Sequence, residues 1–416
     1  MQATMIVGRR ADTARKWFNT PPGVAALTLI AYGGFILMQL IGYGGDITRF
    51  VIAGPQFIPP QVGATVGLSV LSHGTGNDGQ FYYLLALNPF SPHVALPGAH
   101  YDWPSYRAQR ILYPLVVWAL SLGGRPALVP LMLPLVNLAA VVAVGWVSAT
   151  LARRFGAQPL WGLLLAFYPG LLVSLAADIG DPLAMALALG GLLALVNRRW
   201  GWASALFSLA ALSRETTTLI PLALAIAALL ARVTPLPALR LPAIRLIARE
   251  DRRAGFLAGV IPCIAACAWQ LETLVVWGHL GVGSGESNIS YPLLGLFISL
   301  LVWTKLSYPL LQIVLYGNVF YLLGIVIIAW QAQRWGKKAP GAIALAWALN
   351  VALAVFFSLN IWDFYYFLRA ALELGLLSLL LAFGASRRAR SVALGATLAA
   401  WVITAIAMST WAASAF

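Results

Sequence analysis

Asp78 is the residue whose surroundings are most typical of a chemical site. It lies in the stretch HGTGNDGQFYYLLALNPF, residues 73–90, with Gly76 and Gly79 close to it and aromatic residues after it. Glycine lets another molecule approach the backbone closely, and aromatic rings that carry hydroxyl groups suit a sugar face or a lipid–water boundary. A carboxylate in such a place is suited to removing a proton from an acceptor hydroxyl. The alternative is a charge that only keeps a short loop solvated.

Two further stretches hold charges that invite a functional interpretation. Asp46, in GYGGDITRF, directly follows the first apolar run, and is either a second carboxylate of the Asp78 site or a charge at a helix end. The stretch SRETTTLIP places Arg214 and Glu215 between two short apolar segments. Charges at membrane depth are costly, so they are usually functional or paired with each other. Arg214 therefore either holds a phosphate by a bidentate contact or pairs with Glu215 to order a hairpin.

Four more charged residues also allow two interpretations each. Arg107 and Arg110 lie in the apolar stretch YRAQRILYPLVVWALSLGG, which is too short to span a membrane and predicts an amphipathic helix at the interface. They either meet particular lipid phosphates or anchor the helix to bulk headgroups. Asp178 and Asp181, in DIGDP, either cap the following helix or take part in catalysis.

A late apolar region contains the last charges of interest. Asp363 and Arg369 flank FYYFL at the start of a predicted span. They either pair with each other or line the same cavity as the other charges. Glu373 lies inside the span itself.

The composition places all these residues in a membrane protein. Of the 416 residues, 61% are hydrophobic and only 10% are charged, whereas a soluble domain carries about 25% charged residues. Apolar runs of about 20 residues, long enough to cross a bilayer as helices, recur along the chain. We therefore predict an all-α polytopic membrane protein with a single transmembrane domain over residues 1–416.

The apolar runs predict about eleven transmembrane helices. Their approximate ranges are 24–43, 127–150, 158–176, 182–197, 202–213, 216–232, 255–277, 307–333, 339–359, 366–385 and 391–413. The pair 202–213 and 216–232 is short and predicts a helical hairpin with its tip inside the membrane. Residues 44–125 form a long first extracytoplasmic loop that carries Asp78 and the interface helix, and residues 233–254 form a basic cytoplasmic loop.

The distribution of charge predicts the orientation. In this topology, 20 of the 27 basic residues fall on one side of the membrane, most of them between apolar runs. The positive-inside rule assigns such basic loops to the cytoplasm. The N-terminus is then cytoplasmic, the C-terminus is outside, and most acidic residues face outwards. We expect a multi-pass protein of the cell (inner) membrane with an extracytoplasmic active site. The net charge of +14 does not indicate nucleic-acid binding, because the basic residues cluster in these loops.

The sequence indicates no metal or cofactor. Cys263 and Cys267 are four residues apart, so they share one helix face, and they are expected to be small core residues. The four histidines are too scattered to suggest a ligand set. A divalent cation is not indicated, and no cofactor is expected.

Two motifs and the order of the elements resemble the GT-C superfamily of integral membrane glycosyltransferases. The D-G-Q-F-Y-Y segment from Asp78 to Tyr83 is similar to the D-G-x-x-Y segment of mannosyltransferases of the GPI-anchor type and their bacterial relatives. The R-E-T of Arg214 to Thr216 looks like an element that lies between two short spans in many members. A long first outer loop with interface helices completes the resemblance.

The resemblance implies an inverting transferase that moves a sugar from a polyprenyl-phosphate donor to a glycan, lipid or protein acceptor on the outer face. It implies that Asp78 is the general base and that Arg214 contacts the donor phosphate. The other residues expected to bind substrate, donor lipid included, are Asp46, Gln80, Tyr82, Tyr83, Arg107, Arg110 and Glu215. The loop has no D-x-D or D-E pair, so a metal requirement is not expected.

Other classes of function remain open. A transporter or flippase of lipid-linked glycans would place charges near the bilayer midplane and would show repeated halves, and no clear repeat is present. An oligosaccharide ligase or polymerase would share the outer site and the lipid donor. A purely structural subunit gives no reason for an acid flanked by glycines.

Overall fold

The computed structural model is built of helices joined by short connections. It describes residues 17–233, 252–283, 288–304, 306, 309–335, 341–362 and 366–415. Within these ranges no β-strand occurs, and pairing is limited to isolated bridges such as that between Ala53 and Val70. The prediction of an all-α protein is confirmed for the described residues.

The α-helices are numbered here in chain order. They are α1 (Pro21–Gly42), α2 (Pro60–Thr65), α3 (Gly79–Leu87), α4 (Pro104–Ala108), α5 (Leu112–Leu120), α6 (Val129–Arg154), α7 (Leu163–Ala166), α8 (Pro169–Ala176), α9 (Asp181–Val196), α10 (Trp200–Ser213), α11 (Leu219–Val233), α12 (Arg252–Trp277), α13 (Leu294–Trp303), α14 (Pro309–Trp335), α15 (Gly341–Val355), α16 (Leu359–Trp362), α17 (Tyr366–Ala370), α18 (Leu372–Leu381) and α19 (Arg387–Ala415). Short 3₁₀ turns occur between several of them, among them Ile47–Val51 and Glu215–Thr218.

Five of the described helices are long and apolar enough to cross a membrane: α1, α6, α12, α14 and α19. The bent pair Pro159–Ala166 and Pro169–Ala176, with 50° between its halves, makes a sixth if it is counted as one span. Several further helices, such as α9 and α10, are apolar but only 10–17 residues long. The long apolar helices are those of a multi-pass membrane protein, whereas the predicted number of about eleven spans is not confirmed.

α1 shows how the sequence sets the ends of a helix. Thr20 precedes it, and Thr20 Oγ1 accepts a hydrogen bond from the Gly23 amide at 3.2 Å. Proline occupies the first helical position, where no intrahelical hydrogen bond is lost. After the helix the chain turns through Gly44 and Gly45, both with positive φ, which glycine adopts without steric cost.

The first loop, residues 44–125, has an apolar core of its own. Its buried members include Val51, Phe81, Tyr82, Tyr113 and Val117. The same cluster continues into α6 and into the connection between α8 and α9. Burial of this shared apolar surface fixes the loop against the helix bundle, and that contact places Asp78 beside the bundle.

The predicted interface helix over residues 106–124 is not one helix. The structure has α4 and α5 instead, separated by a turn at residues 109–111. Arg107 and Arg110 are buried, with 8% and 7% of their surface exposed. The structure therefore does not present them to bulk headgroups.

The structure also differs from the helical hairpin predicted over residues 202–232. α10 packs on α9 and α12, whereas α11 packs on α12 and α15, so the two helices barely touch each other. Arg214 is extended at the break between them, and the 3₁₀ turn follows. Of the basic loop predicted over 233–254, residues 234–251 lie outside the described residues.

The late helices are fixed against α8 by very close contacts. The Tyr168 hydroxyl donates a hydrogen bond to the Leu368 carbonyl oxygen at 3.1 Å. A Cβ on Gly375 would lie 2.3 Å from the ring of Tyr168, so only glycine fits there. This packing places Arg369 of α17 and Glu373 of α18 next to the start of α9.

Candidate functional site

Arginines and carboxylates alternate along one chain of contacts that joins the first loop to the bundle. The pairs run Asp102–Arg107–Asp78–Arg369–Asp181–Arg214–Glu373, with a further pair formed by Arg110 and Glu215. We call these nine residues the charge network. Its members come from the first loop, α9, the break between α10 and α11, α17 and α18, and paired members lie up to 291 residues apart in sequence.

Asp78 links the two halves of the charge network. Its Oδ1 accepts a hydrogen bond from Arg107 Nη1 at 2.7 Å, and its Oδ2 accepts one from Arg369 Nη1 at 2.8 Å. The Asp78 side chain is 23% exposed, against 10% for Arg107 and 11% for Arg369. The carboxylate is therefore more open to solvent than the two arginines that hold it.

The turn before α3 is fixed by glycine and by an amide side chain. Gly76 has positive φ, and a Cβ on it would lie 2.4 Å from the Gly54 nitrogen. Gln80 Oε1 accepts a hydrogen bond from that nitrogen at 3.0 Å, and Gln80 Nε2 donates to the Thr75 carbonyl oxygen at 2.8 Å. Gln80, predicted to bind substrate, thus stabilises the turn by hydrogen bonds. Gly76 allows the close approach of its own segment to Gly54.

Arg107 is held in place from three directions. Asp102 accepts hydrogen bonds from Arg107 Nε at 2.9 Å and from Nη2 at 2.5 Å. The guanidinium carbon also lies 4.2 Å from the centre of the Phe81 ring, a favourable cation–π distance. Its remaining nitrogen, Nη1, is the one that binds Asp78, so the guanidinium presents a single nitrogen to the open side.

Asp181 is the buried centre of the other half of the network. Its Oδ2 accepts hydrogen bonds from Arg369 Nε at 2.7 Å and from Ser174 Oγ at 3.0 Å, and its Oδ1 lies 2.7 Å from Arg214 Nη1. Although Asp181 begins α9, no side chain caps that helix. Capping, one of the two interpretations of DIGDP, is therefore not what this carboxylate does.

Arg214 supports the backbone that carries Arg369. Its Nη2 donates to the carbonyl oxygens of Arg369 and Ala370 at 3.2 and 3.1 Å, and its Nε lies 2.7 Å from Glu373 Oε1. The predicted alternative, an ion pair with Glu215, does not occur among the described ion pairs. Arg214 is only 4% exposed, and each of its guanidinium nitrogens already contacts another group of the protein.

Glu215 pairs with Arg110 of the first loop instead. Glu215 Oε2 accepts from Arg110 Nε at 2.8 Å and Oε1 accepts from Nη2 at 2.6 Å, a bidentate arrangement. Arg110 Nη1 is buried and has no hydrogen-bond partner among the described residues. The structure thus brings both halves of the predicted site, Arg107 with Arg110 and Arg214 with Glu215, into one place.

Asp46 lies apart from the charge network. Its Oδ1 accepts hydrogen bonds from the Thr48 amide and hydroxyl at 2.9 and 2.7 Å, and its Oδ2 accepts one from Ser69 Oγ at 2.5 Å. These contacts cap the 3₁₀ turn Ile47–Val51. Of the two predicted roles, the structure places Asp46 in that of a helix-end charge.

Tyr82 and Tyr83 are part of the core of the first loop. Both are almost fully buried, and the Tyr82 ring packs edge-on against Tyr113 with centroids 5.5 Å apart. The Tyr83 hydroxyl is buried and has no hydrogen-bond partner within the described ranges. Neither ring presents a face to an incoming sugar in this arrangement.

Asp178 is a buried carboxyl outside the network. Neither of its oxygens has a hydrogen-bond partner among the described residues, and the residue has φ of +50°. A Cβ on Gly79 would lie 3.2 Å from the Asp178 Cβ, so the turn that carries Asp78 rests directly on this residue. Burial raises the pKa of the Asp178 carboxyl well above its usual range.

The pKa of the Asp78 carboxyl is shifted in the opposite direction. Burial alone would raise the pKa of its carboxyl, but the guanidinium groups of Arg107 and Arg369 outweigh burial and hold the pKa well below its usual range. In this geometry Asp78 is a stable anion. A carboxyl with a lowered pKa is a weak proton acceptor.

Part of this site is predictable from the sequence. The sequence indicates Asp78, Arg107, Arg110 and the Arg214–Glu215 element, and it leaves open that Arg369 lines the same cavity and that Asp181 takes part in catalysis. It gives Asp102 and Glu373 no role in the site. The available signal was the presence of charged residues in apolar stretches, which need partners. Asp363, the partner that the sequence suggested for Arg369, lies outside the described residues.

Within the described part of the chain, no group of three or more His, Cys, Asp or Glu side chains is arranged to hold a metal ion. The chain matches no protein-family model, no curated protein and no solved structure. What the site does is therefore inferred from its own geometry and from the motifs at Asp78 and Arg214.

Proposed function

We propose that the chain is a membrane glycosyltransferase of the GT-C type. It moves a sugar from a polyprenyl-phosphate donor to an acceptor hydroxyl on the extracytoplasmic face, with inversion at the anomeric carbon. The observation that supports this most is Asp78, a partly exposed carboxylate that touches two arginines where the first loop meets the bundle. Such a place combines a proton acceptor with positive charge for a phosphate leaving group.

The proposed reaction is a single displacement. The acceptor oxygen forms a bond to the anomeric carbon while the bond from that carbon to the phosphate oxygen breaks, and its electron pair leaves with the polyprenyl phosphate. The proton of the acceptor hydroxyl passes to Asp78. Arginines placed beforehand near the leaving oxygen stabilise the charge that develops there. A lipid-borne donor suits an extracytoplasmic site, where a nucleotide sugar is hard to supply.

The arginines do not contribute equally to this proposal. Arg107 and Arg369 touch Asp78 directly, and Arg110 has a buried nitrogen without a partner among the described residues. These three are the proposed contacts for the donor phosphate. Arg214, on which the resemblance places that contact, acts in this proposal through the backbone of Arg369 and is a positioning residue.

Sugar transfer in membranes tests the proposal. Membranes that contain the wild type, Asp78→Asn or Glu272→Gln are given a panel of polyprenyl-phosphate monosaccharides and acceptors, with and without chelator. We expect transfer by the wild type from at least one donor and a loss of about 10²–10⁴-fold in Asp78→Asn, as for removal of a general base. Glu272 is an exposed acid of α12, so Glu272→Gln serves as the matched control and retains wild-type activity.

The outcomes of this experiment distinguish the remaining classes of function. Full activity of folded Asp78→Asn contradicts its assignment as the base. Transfer of preassembled oligosaccharides, but not of monosaccharides, identifies a ligase or polymerase. Movement of a lipid-linked glycan across the membrane without any transfer identifies a transporter or flippase.

A further inference from the structure

The two tasks that the proposed function gives to Asp78 and its arginines conflict with each other. Both oxygens of Asp78 accept hydrogen bonds from arginines, Oδ1 from Arg107 and Oδ2 from Arg369. A carboxylate held in this way is a poor proton acceptor. Arg107 in turn has all three of its side-chain nitrogens engaged, two by Asp102 and one by Asp78, so it has none to spare for a phosphate. The resting contacts must therefore change before either group can act.

The charge balance of the network indicates what kind of change is favoured. It contains four arginines and five carboxylates, so it is already negative by one charge when all its members are ionised. Adding a phosphate anion without moving a carboxylate would increase this excess in a poorly solvated place, which is costly. If a phosphate instead replaces a carboxylate at the same arginines, each arginine keeps an anionic partner.

We infer that Asp78 and a phosphate ester compete for Arg369 and Arg107, so that a phosphate that binds these arginines displaces the Asp78 carboxylate and frees it to accept a proton. The chemical class of the ligand is a phosphate monoester or diester anion, borne by a lipid or free in solution. The inference rests on the proposed function for the role of the freed carboxylate, whereas the competition itself does not depend on sugar transfer.

Among the carboxylates that pair with Arg107 and Arg369, Asp78 has the most exposed side chain, at 23% against 19% for Asp102 and 0% for Asp181. Asp181 and Glu373, which hold the same side of the network together, are 0% and 1% exposed at their side chains, whereas Asp78 is 23% exposed. Its side chain does not cap α3, although it directly precedes that helix. The hydrogen bonds of the Asp78 carboxylate in the described structure are those to the two arginines, so rotation of the side chain releases both.

Such competition makes the general base dependent on the donor. Once a phosphate takes over Arg107 and Arg369, the positive charge that held the Asp78 proton affinity down is neutralised, and the carboxylate becomes a better base. Arg110 and Tyr82 also interact electrostatically with Asp78 in the resting arrangement. Proton removal from the acceptor then follows donor binding rather than preceding it.

Anion binding measured by calorimetry tests the competition. The full chain in detergent is titrated with inorganic phosphate and, separately, with a short-chain prenyl monophosphate. The variants are wild type, Asp78→Asn, Asp78→Asn with Arg369→Gln, and the control Glu272→Gln. Size-exclusion chromatography and thermal unfolding establish that each variant is folded.

We expect Asp78→Asn to bind the phosphate probes about tenfold more tightly than the wild type, because its neutral amide competes less well for the arginines. Arg369→Gln is expected to remove this gain, and Glu272→Gln to behave as the wild type. Tighter binding of the prenyl phosphate alone supports the inference and assigns the site to a lipid-borne phosphate.

Equal or weaker binding by folded Asp78→Asn, or no binding of either probe to any variant, overturns the inference. Tighter binding by Asp78→Asn together with an absence of sugar transfer by the wild type leaves the competition standing. In that case the proposed glycosyltransferase activity is the part that fails.

Discussion

At the residue scale, the carboxyl groups of Asp78 and Asp178 are partly and wholly removed from water, and their pKa values are shifted in opposite directions. Asp78 has two arginine partners, which hold its pKa below the usual range. Asp178 has no hydrogen-bond partner among the described residues, and burial raises its pKa. Because a shifted pKa links protonation to folding, the two residues predict opposite effects of pH on stability.

Asp78 is expected to make the protein less stable in acid. Its folded-state pKa lies below the unfolded value of about 3.9, so its contribution is fully present above that pH and is lost as the pH falls through the folded-state pKa. The free energy of unfolding of the wild type should therefore decrease below about pH 4 more steeply than that of Asp78→Asn. Denaturant unfolding in detergent between pH 3 and 7 measures both slopes, and parallel curves would contradict the expectation.

Asp178 is expected to make the protein less stable as the pH rises. Its folded-state pKa lies above the unfolded value, so stability is highest below about pH 3.9 and decreases upwards from there. Asp178→Asn has no such charge to bury, and at pH 7–8 it should gain about 1–3 kcal/mol over the wild type. The gain should shrink when the same unfolding measurement is made at pH 4, and a constant difference would show that ionisation is not involved.

The identity of several site residues could be predicted from sequence, but their partners could not. Asp78 is conspicuous because of its glycines and aromatic neighbours, and Arg214 because it interrupts apolar segments. Pairing between Asp78 and Arg369 spans 291 residues and depends on how α17 packs against α8. No local pattern encodes such a contact, so the sequence suggested near neighbours as partners, such as Glu215 for Arg214.

At the element scale, the turn into α3 depends on glycine for a packing reason. A Cβ on Gly79 would lie 2.6 Å from the carbonyl oxygen of Ala177, which is backbone and cannot rotate away. Gly79 does not have positive φ, so the requirement comes from the close approach of two segments. The position of Asp78 is therefore set by the connection between α8 and α9.

Gly79→Ala is expected to destabilise the protein by about 1–3 kcal/mol, as overpacking does, and to reduce any transfer activity by displacing Asp78. Gly317→Ala in α14 is the matched control, because a Cβ there meets nothing within 4 Å. Alanine at an open helical position is expected to be neutral or stabilising by about 0.5–1 kcal/mol. Thermal unfolding of both variants tests the contrast, which fails if they behave alike.

Long helices were easier to predict than short ones. The runs that became α1, α6, α12, α14 and α19 are apolar over more than four turns, so their composition alone identifies them. The ten-residue helix α13 was not predicted, and the stretch at 106–124 was predicted as one helix. Short elements are stabilised mainly by tertiary packing, and local sequence carries little of that information.

At the scale of the whole molecule, the charge distribution predicts where the ends of the chain lie. With basic loops on the cytoplasmic side, a reporter fused to the N-terminus should be cytoplasmic and one fused to the C-terminus should be extracytoplasmic. A pair of reporters that is active only on one side of the membrane measures this directly. Both ends on the same side would mean an even number of spans, and an extracytoplasmic N-terminus would overturn the proposed orientation of the charge network.

The spacing of the network partners also has a consequence for synthesis of the chain. Arg107 follows Asp78 by only 29 residues, whereas Arg369 follows Asp78 by 291 and Asp181 by 188. At a ribosomal rate of about 5–20 residues per second, Arg369 emerges on the order of 15–60 s after Asp78. Arg107 and Arg214, the other arginine partners of Asp78 and Asp181, are translated before Arg369. The two carboxylates therefore have one arginine partner available early, and the second only after α17 has been translated.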